Sequence, residues 1–293
     1  MNNYDVIIIG AGPAGLSAAI YLKRAGINPL IIEKDSPGGT LNKVTSIQNY
    51  PGYTEQSGLK LAFRMYSQVE ALNIKIVVAE VININKDNLF SVETSKENYA
   101  APYLILSTGK VSKKLECNNA KKFEQNGISY CVTCDGNLYK NKDVAVIGSG
   151  LSAYDAILYL SSIANKIYLI NKEQTFKYDI KNYKNVEVKN DSKIEDLIGE
   201  EKLEKIKTNK DLIKVDGVFV CLGEKKNAFY YENLNLKADK KGIIVDHNMQ
   251  TNINNVYACG DMISKSLYQV ITATSEGAVA ATDIIKKIKK PVK

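Results

Sequence analysis

The sequence predicts an α/β protein, because one strand–helix–strand design occurs twice in its 293 residues. The first copy is YDVIIIGAGPAGLSAAIYLKRAGINPLIIEK (4–34), and the second is KDVAVIGSGLSAYDAILYLSSIANKIYLINK (142–172). Each copy reads as a buried apolar strand, a glycine turn, a helix with apolar residues at helical spacing, and a second apolar strand. Such βαβ units build parallel sheets, and the glycine turn is typical of dinucleotide-binding folds. The predicted class is therefore α/β with two Rossmann-like domains of the FAD/NAD(P)-binding type.

The first glycine turn has the pattern of a dinucleotide site. Gly10, Gly12 and Gly15 form G-x-G-x-x-G, in which the first glycine makes the tight turn, the second lets the backbone approach a pyrophosphate, and the third lets helix and strand pack closely. The pyrophosphate then lies on free N–H groups at the helix N-terminus. Glu33 ends the second strand, where a carboxylate can bind ribose hydroxyls. Together these features predict dinucleotide binding.

The second glycine turn is intact, but the strand that follows it ends differently. The turn has Gly148, Gly150 and Ala153, and Asn171 stands at the position that matches Glu33 of the first copy. This unit can fold as a Rossmann half whether or not it binds a nucleotide.

The remaining segments predict further strands and helices. A helix is expected over 57–73, and a last helix from about Val270 to Lys289. Residues 181–217 predict only brief strands and no second crossover helix, which fits a site that no longer holds a nicotinamide nucleotide. Apolar strands are expected at 74–84, 89–94, 103–109, 217–223 and 254–261.

A thiol pair lies in the stretch ISYCVTCDGNLY (128–139), where Cys131 and Cys134 form C-x-x-C and Asp135 follows. This spacing lowers the pKa of one thiol, so a thiolate is available near neutral pH to attack a disulfide. The pair is also half of a metal site, but there is no second C-x-x-C and His247 is the one histidine, so we expect no metal. The other cysteines are expected to be packing residues: Cys117, Cys221 and Cys259.

Composition narrows the class of protein further. The chain is 45% apolar and 24% charged, which suits a packed core. No apolar run approaches the roughly 20 residues of a membrane helix, and MNNYDVIIIGAG reads as a strand entering a glycine turn, not as a signal peptide. We therefore expect a cytoplasmic protein with no membrane part.

The net charge of +7 is unevenly placed along the chain. Segment 115–223 holds 16 Lys and 16 Asp or Glu, so all the excess positive charge lies outside it. The charge is either a solvated surface or a docking face for an acidic partner, because charge complementarity speeds encounter. No nucleic-acid-binding motif accompanies it, so nucleic acid is not expected as a partner.

Short signatures then follow one another in a distinctive order: GAGPAG (10–15), GGTLNKVTSIQNYPG (38–52), STG (107–109), CVTCDG (131–136) and YACGD (257–261). In this order and combination they resemble the low-molecular-weight thioredoxin reductases from end to end. The resemblance implies a flavoprotein whose FAD-binding domain, 1–114 and 224–293, is interrupted by an inserted NAD(P)-like domain, 115–223, that carries the redox pair. It also implies a homodimer.

The resemblance also implies roles for individual residues. Cys134 would face the flavin, Cys131 would attack the disulfide of thioredoxin, and Asp135 would donate or accept protons. The FAD contacts of the family fall here on Gly10, Gly12, Pro13, Ala14, Gly15, Glu33, Lys34, Gly39, Thr40, Leu41, Asn49, Val81, Thr108, Gly109, Gly260, Asp261, Gln269, Val270 and Ile271.

The sequence departs from the family in INKEQTFK (170–177). NADPH-dependent members carry His-Arg-Arg and a later Arg here, which clamp the 2′-phosphate, whereas this chain has Asn171, Lys172, Glu173 and Lys177. A guanidinium grips phosphate bidentately, a lysine acts as a point charge, and a glutamate repels it. The chain is poor in arginine throughout, which accounts for the lysines but not for Glu173.

This departure is similar to the ferredoxin-dependent flavin thioredoxin reductases, so reduced ferredoxin is the electron donor that we expect first. Ferredoxins are acidic, which suits the positive charge. Transfer from about −400 mV to a thioredoxin near about −270 mV is downhill by roughly 6 kcal/mol for two electrons. The alternative is an NAD(P)H-dependent thioredoxin reductase with a degenerate nucleotide clamp. A flavin-bearing redox sensor is a third interpretation, which the intact CVTCDG disfavours.

Overall fold

The computed structural model of the chain describes residues 4–44, 46–55, 57–124, 126–225 and 233–290. The chain divides into two compact units. The terminal unit comprises Met1–Lys110 and Lys226–Lys293, and the central unit comprises Val111–Lys225. The junctions expected from the sequence, at 114/115 and 223/224, both lie a few residues inside the central unit.

The secondary structure follows the predicted α/β pattern. The strands, in chain order, are β1 (Val6–Ile9), β2 (Pro29–Glu33), β3 (Lys75–Val78), β4 (Val81–Lys86), β5 (Phe90–Thr94), β6 (Asn98–Ala101), β7 (Tyr103–Leu106), β8 (Val111–Ser112), β9 (Ile128–Ser129), β10 (Asp143–Ile147), β11 (Lys166–Ile170), β12 (Val186–Lys189), β13 (Ile194–Ile198), β14 (Lys205–Thr208), β15 (Leu212–Lys214), β16 (Gly217–Val220), β17 (Glu224–Lys225) and β18 (Val256–Ala258). The α-helices are α1 (Pro13–Arg24), α2 (Gly58–Ala71), α3 (Val132–Asp135), α4 (Leu151–Leu160) and α5 (Val270–Lys289).

The terminal unit is built on a parallel sheet in the order β18-β7-β1-β2-β3. Strand β1 lies at its centre and is fully buried, with Ile8 opposite Ile31 of β2 and Ile105 of β7. Strands buried on both faces read as continuous apolar runs, which is why VIII predicts a central strand. A second, antiparallel sheet is formed by β4, β5 and β6.

Helices α1 and α5 pack against each other in the terminal unit at very short range. A Cβ atom added at Gly277 of α5 would lie 2.1 Å from the carbonyl oxygen of Ala14 in α1. The neighbouring core positions are also small, because Ala273, Ala280 and Ala281 are buried. This close approach holds the N-terminal turn of α1 in place, directly after the glycine turn.

The central unit has its own parallel sheet, in the order β12-β11-β10-β16-β9, and an antiparallel sheet of β13, β14 and β15. The connection from β10 to β11 runs through α4, as the second glycine pattern predicts. The connection from β11 to β12 contains turns and bends but no helix. Residues 181–217 as a whole form the short strands β12 to β15 and the first residue of β16 but no helix, so the predicted absence of a second crossover helix is confirmed.

One predicted strand is wrong in its extent. The sequence predicts a single strand over 74–84, whereas β3 and β4 are separate and belong to different sheets. The chain leaves the parallel sheet after Val78, and the N–H of Ala79 donates to the carbonyl oxygen of Glu33 at 2.8 Å. Strand β4 then pairs with β5 in the antiparallel direction. Among the described residues, no helix is both long and apolar enough to cross a membrane.

Candidate active site

The glycine turn after β1 is shaped by close backbone contacts. Gly10 has a φ of +103°, and a Cβ atom there would lie 2.5 Å from the carbonyl oxygen of Ser107. A Cβ atom on Gly15 would lie 2.0 Å from the carbonyl oxygen of Gly10, so a side chain would push α1 away from the turn. The Ser107 hydroxyl fixes the arrangement by donating toward the carbonyl oxygens of Ile9 and Gly10, at 2.9 and 3.0 Å.

The N-terminus of α1 is open toward the turn. A Cβ atom on Gly12 would meet nothing within 4 Å, and Gly12 caps the helix without a side-chain hydrogen bond. Segment 38–41 lies beside the turn, because the N–H of Gly38 donates to the carbonyl oxygen of Ala11 at 2.8 Å. Gly39, with a φ of +57°, comes so close that its Cβ would lie 3.3 Å from the Cα of Gly12. The free N–H groups of the helix can therefore receive a pyrophosphate between two glycine backbones.

Glu33 lies at the side of this turn. Its Oε2 accepts the backbone N–H of Ala11 at 2.6 Å, and its Oε1 accepts that of Asp35 at 3.0 Å. The adjacent Lys34 forms an ion pair with Glu80 at 2.6 Å, next to the buried Val81 that begins β4. Glu33, Lys34 and Val81, three of the FAD contacts that the resemblance implies, are thus brought together.

Four more of the expected FAD contacts lie at or near the start of α5. Asn49 donates through Nδ2 to Oε1 of Gln269 at 2.9 Å, across 220 positions of sequence. Gln269 caps α5 through a reciprocal hydrogen-bond pair with Thr272. Val270 is half-buried and Ile271 is exposed at the start of the same helix.

Two further segments flank the turn. Gly109 has a φ of +65°, and the Oγ1 of Thr108 lies 3.9 Å from the sulfur of Met262. Gly260, with a φ of +77°, donates its N–H to Oε2 of Glu276 at 2.9 Å, and Glu276 in turn pairs with Lys265. Leu41 is buried and Thr40 is exposed beside the glycine-rich segment. Backbone approach at the turn, a carboxylate at the end of β2 and an uncapped helix suit an FAD molecule.

In the central unit, the position that matches Glu33 is committed to internal hydrogen bonds. Asn171 is fully buried; its Nδ2 donates to Oδ1 of Asn190 at 2.8 Å, and its Oδ1 accepts the N–H of Glu173 at 3.1 Å. The side chains of Lys172, Glu173 and Lys177 are exposed. The glycine turn itself is retained, because a Cβ on Gly150 would still meet nothing within 4 Å.

An aromatic cluster lies beside this segment, which the sequence analysis did not single out. The rings of Tyr154 in α4 and Tyr178 stack at 5.1 Å with an interplanar angle of 20°, and Phe176 lies 5.4 Å from Tyr178. These rings pack the helix-free connection from β11 to β12 onto α4. The alternation FKY in the sequence is the one local signal of this packing, and it is a weak one.

The redox pair lies at the start of α3 in the central unit. Cys131 precedes the helix as its N-cap residue and is disulfide-bonded. Its Sγ lies 3.6 Å from Oγ1 of Thr133. The side chain of Cys134 lies outside the described part of the structure, so the predicted pairing of Cys131 with Cys134 stays a prediction.

Asp135 follows within the same short helix, and its carboxyl is largely withdrawn from solvent. Oδ2 accepts a hydrogen bond from the Ser129 hydroxyl at 2.7 Å, and Oδ1 is buried with no hydrogen-bond partner among the described residues. Burial raises the pKa of the Asp135 carboxyl, while the hydrogen bond from Ser129 acts in the opposite direction. Sequence reasoning missed Ser129, because no pattern in the motif marks its hydroxyl as the partner.

The three remaining cysteines are free thiols. Burial raises the pKa of Cys117 to about 11 and that of Cys221 to about 12, and it raises the pKa of the fully buried Cys259 as well. Thiols with a raised pKa stay protonated near neutral pH and are poor nucleophiles. Cys259 is buried, and Cys117 and Cys221 are half-buried against the cores of the central unit, which agrees with their expected packing role. Within the described residues, no cluster of three or more His, Cys, Asp or Glu side chains could hold a metal ion.

Comparison with known proteins identifies the family. A family model described as pyridine nucleotide-disulphide oxidoreductase matches residues 4–277. A thioredoxin reductase from Ureaplasma parvum is 36% identical over 95% of this chain and 94% of its own length.

Solved structures agree with this assignment. Thioredoxin reductase from Streptococcus pyogenes matches with a TM-score of 0.92 and 29% identity, over 98% of both chains. A ferredoxin-flavin thioredoxin reductase from Clostridium acetobutylicum matches with a TM-score of 0.55 and 32% identity, also over 98% of both chains. The chain belongs to the pyridine nucleotide-disulphide oxidoreductase family, as a low-molecular-weight thioredoxin reductase with FAD as its cofactor.

Proposed function

We propose that this flavoprotein reduces the disulfide of thioredoxin through Cys131 and Cys134, with electrons that reach the pair from a reduced pyridine nucleotide by way of FAD. The observation that carries the proposal is the disulfide at Cys131 with the half-buried Asp135 in the helix that follows it. A disulfide beside a carboxyl of raised pKa has the electron acceptor and the proton carrier that reductive exchange needs.

Over one turnover, the thiol–disulfide exchange at the cysteine pair balances in electrons, protons and bonds. FAD supplies a two-electron carrier between the donor and the disulfide. Once the pair is reduced, the Cys131 thiolate attacks one sulfur of the thioredoxin disulfide, a mixed disulfide forms, and one thioredoxin thiolate leaves. The Cys134 thiolate then attacks the Cys131 sulfur, which restores the Cys131–Cys134 disulfide and releases the second thioredoxin thiolate. Two electrons and two protons pass to thioredoxin, and Asp135 transfers protons at the pair.

The family assignment supports a pyridine nucleotide as the donor more than it supports ferredoxin. The matching family model is named for pyridine nucleotide oxidation, and the similar proteins from Ureaplasma and Streptococcus are named simply as thioredoxin reductases. The ferredoxin-first expectation from INKEQTFK therefore gives way to the nucleotide-dependent alternative as the leading proposal. The intact turn at Gly148 and Gly150 supplies the helix N-terminus that a nucleotide pyrophosphate needs.

Reduced ferredoxin stays as a second candidate donor, because specific features of the central unit favour it. Asn171 is buried and its amide is hydrogen-bonded to Asn190 and Glu173, so this position presents no carboxylate to a ribose. The connection from β11 to β12 lacks a helix. The net charge of +7 also suits an acidic protein donor.

One experiment separates the two donors. The oxidised holoenzyme is mixed anaerobically with NADH, with NADPH, or with a reduced plant-type or clostridial ferredoxin, and flavin bleaching and thioredoxin thiols are followed by stopped flow. Bleaching by micromolar nucleotide within the turnover time supports the leading proposal. Bleaching by ferredoxin alone, slowed as ionic strength rises, would replace it with the second candidate. If flavin bleaches but no thioredoxin thiols appear, thioredoxin is not the substrate.

The homodimer expected from the resemblance stays a prediction, which sedimentation velocity of the holoenzyme would check. The cytoplasmic location likewise stays a prediction.

A further inference from the structure

Ser129 is placed by the sheet of the central unit and not by a loop. It ends β9, which pairs in parallel with β16 so that Ser129 stands opposite Phe219. Only 4% of the residue is exposed. Because the paired strand fixes the position of this buried hydroxyl, its hydrogen-bond partners are set by the fold and not by solvent.

The Ser129 hydroxyl joins the nucleophilic cysteine to the carboxyl. Its Oγ donates to Oδ2 of Asp135 at 2.7 Å and accepts the backbone N–H of Cys131 at 3.1 Å. Oγ also lies 3.2 Å from the carbonyl oxygen of Cys131, which itself accepts the backbone N–H of Asp135 at 3.1 Å. A hydroxyl has one proton, and the contact with the carboxylate is the shorter of its two possible donations.

We propose that Ser129 is a positioning residue for thioredoxin reduction, whose hydroxyl sets the ionisation of Asp135 and fixes the backbone of Cys131. The inference rests on the proposed function, in which Asp135 carries protons for the redox pair. Ser129 acts through these two residues and does not itself react.

The hydrogen bonds of the Asp135 carboxyl are the reason to expect an effect of the Ser129 hydroxyl. Within the described residues Oδ1 of Asp135 has no partner, so Ser129 provides the side-chain hydrogen bond that stabilises the ionised carboxyl. Burial is the larger influence on the pKa of Asp135 and raises it, and the hydrogen bond from Ser129 lowers it. Burial opposes ionisation and Ser129 favours it, so loss of the hydroxyl leaves burial unopposed.

Among the described residues, Tyr139 is the titratable side chain whose pKa responds to Asp135. Tyr139 ends the 3₁₀ turn Gly136–Tyr139 that follows α3; burial raises the pKa of Tyr139, and the carboxylates of Asp135 and Asp216 raise it further. The Cys131 sulfur is held in the disulfide, and Tyr159 of α4 packs over the neighbouring Gly136. A change at Ser129 is therefore expected to be felt mainly by Asp135.

Four variants of the full-length holoenzyme test the proposal. Ser129→Ala removes the hydroxyl, Ser129→Thr keeps it, and Asp135→Asn identifies the Asp135 signal. Thr208→Ala is the matched control, because Thr208 is 3% exposed in the same unit and, among the described residues, its hydroxyl hydrogen-bonds to backbone atoms of the β14–β15 turn. Ionisation of Asp135 is followed directly by ¹³Cγ-aspartate NMR, and thioredoxin reduction is followed as a function of pH.

We expect Ser129→Ala to move the Asp135 titration to higher pH by about one unit, a tenfold change in the ionisation constant. The limb of the pH–rate profile that Asp135→Asn abolishes should move with it. Ser129→Thr should stay near the wild type, and Thr208→Ala should leave both titrations unchanged even where it lowers the melting temperature.

The proposal is overturned if Ser129→Ala titrates like the wild type, or if Ser129→Thr shifts as far as Ser129→Ala. A different result tests the proposed function separately. If Asp135→Asn leaves the rate unchanged at every pH while Ser129→Ala still shifts the NMR titration, Ser129 sets the ionisation of Asp135 but Asp135 carries no proton in catalysis.

Discussion

At the scale of single residues, burial of the Asp135 carboxyl opposes its ionisation, and a hydrogen bond from Ser129 favours its ionisation. Its Oδ1 is buried without a hydrogen-bond partner among the described residues, and its Oδ2 accepts a hydrogen bond from Ser129. A raised pKa brings a carboxyl closer to the operating pH, where it can both give and take a proton. The same shift makes the ionised carboxyl a source of instability in the folded protein.

Asp135→Asn should therefore lower activity and change how stability depends on pH. General acid–base catalysis contributes about 10²–10⁴-fold to a rate, so thioredoxin turnover should fall by at least about 10²-fold.

The stability prediction follows from the raised pKa of Asp135 in the folded protein. The contribution of Asp135 to the free energy of unfolding is most favourable below the pKa of the unfolded state, where the carboxyl is protonated, and it is lost as pH rises through the pKa of the folded state. Between pH 4 and 8, the melting temperature of Asp135→Asn should rise relative to that of the wild type as pH rises. The exposed Asp87→Asn serves as the control, and a difference that does not change with pH would contradict the argument.

Glu173 is the residue that we expect to set the choice of nucleotide. It is exposed just after β11, where NADPH-dependent relatives would need a cation for the 2′-phosphate. The wild type should therefore prefer NADH. Glu173→Arg replaces repulsion with a bidentate partner and should lower the KM for NADPH by about tenfold or more, with little effect on NADH.

The matched control for this prediction is Glu200→Arg, which makes the same change of charge at another exposed glutamate of the central unit. If Glu200→Arg lowers the KM for NADPH as far as Glu173→Arg does, the effect is one of overall charge. If neither variant reacts with any pyridine nucleotide, the leading donor is wrong.

The candidate site was predictable from sequence only where its functional residues form a short local motif. The glycine turn and the C-x-x-C with Asp135 are local patterns, because turn geometry and thiol spacing act over a few positions. Ser129 was missed because its role depends on the pairing of β9 with β16, which no local pattern records. The Tyr154–Tyr178 stack depends in the same way on a connection folding back onto α4.

At the scale of elements, the bounds of a helix or strand were predictable where it packs against the same neighbours along its whole length. The last helix begins and ends as expected, at Val270 and Lys289. The strand expected over 74–84 failed because apolar residues continue through a break at Ala79, while the sheet partner changes from β2 to β5. In the sequence the two halves are not separated by a turn signal, and the hydrogen-bond partners distinguish them.

The contact between α1 and α5 gives a prediction in which packing and helix propensity oppose each other. Alanine stabilises a helix relative to glycine by about 1 kcal/mol, so propensity alone would favour Gly277→Ala. The new Cβ would lie 2.1 Å from a backbone oxygen of α1, which cannot move aside as a side chain could. Overpacking typically costs about 1–3 kcal/mol, so the variant should be destabilised.

Gly277→Ala should also lose FAD, because displacement of α1 disturbs the helix N-terminus that receives the pyrophosphate. The melting temperature and the ratio of bound flavin to protein are the measurements. Ser275→Ala, at an exposed position of the same helix, is the control and should leave the flavin content unchanged. A Gly277→Ala protein as stable and as flavin-rich as Ser275→Ala would mean that α5 can adjust without moving α1.

At the scale of the whole molecule, each unit has a hydrophobic core of its own. Ile284 of α5 is fully buried among residues of the terminal unit, and Ile157 of α4 is fully buried among residues of the central unit. The residues that suit FAD, from Gly10 to Ile271, all belong to the terminal unit. Binding of FAD should therefore act on one core and leave the other almost unchanged.

Calorimetry of the FAD-free protein, with and without added FAD, tests this separation. FAD at 100 times its dissociation constant should stabilise the terminal unit by about 2.7 kcal/mol, and the transition of the central unit should stay in place. Ile284→Ala and Ile157→Ala assign the two transitions, because each removes a fully buried isoleucine and should cost about 2–5 kcal/mol in its own unit. The prediction is wrong if both variants lower the temperature of one shared transition and FAD raises the temperature of that same transition. In that case the two cores unfold together, and flavin binding stabilises the central unit as well.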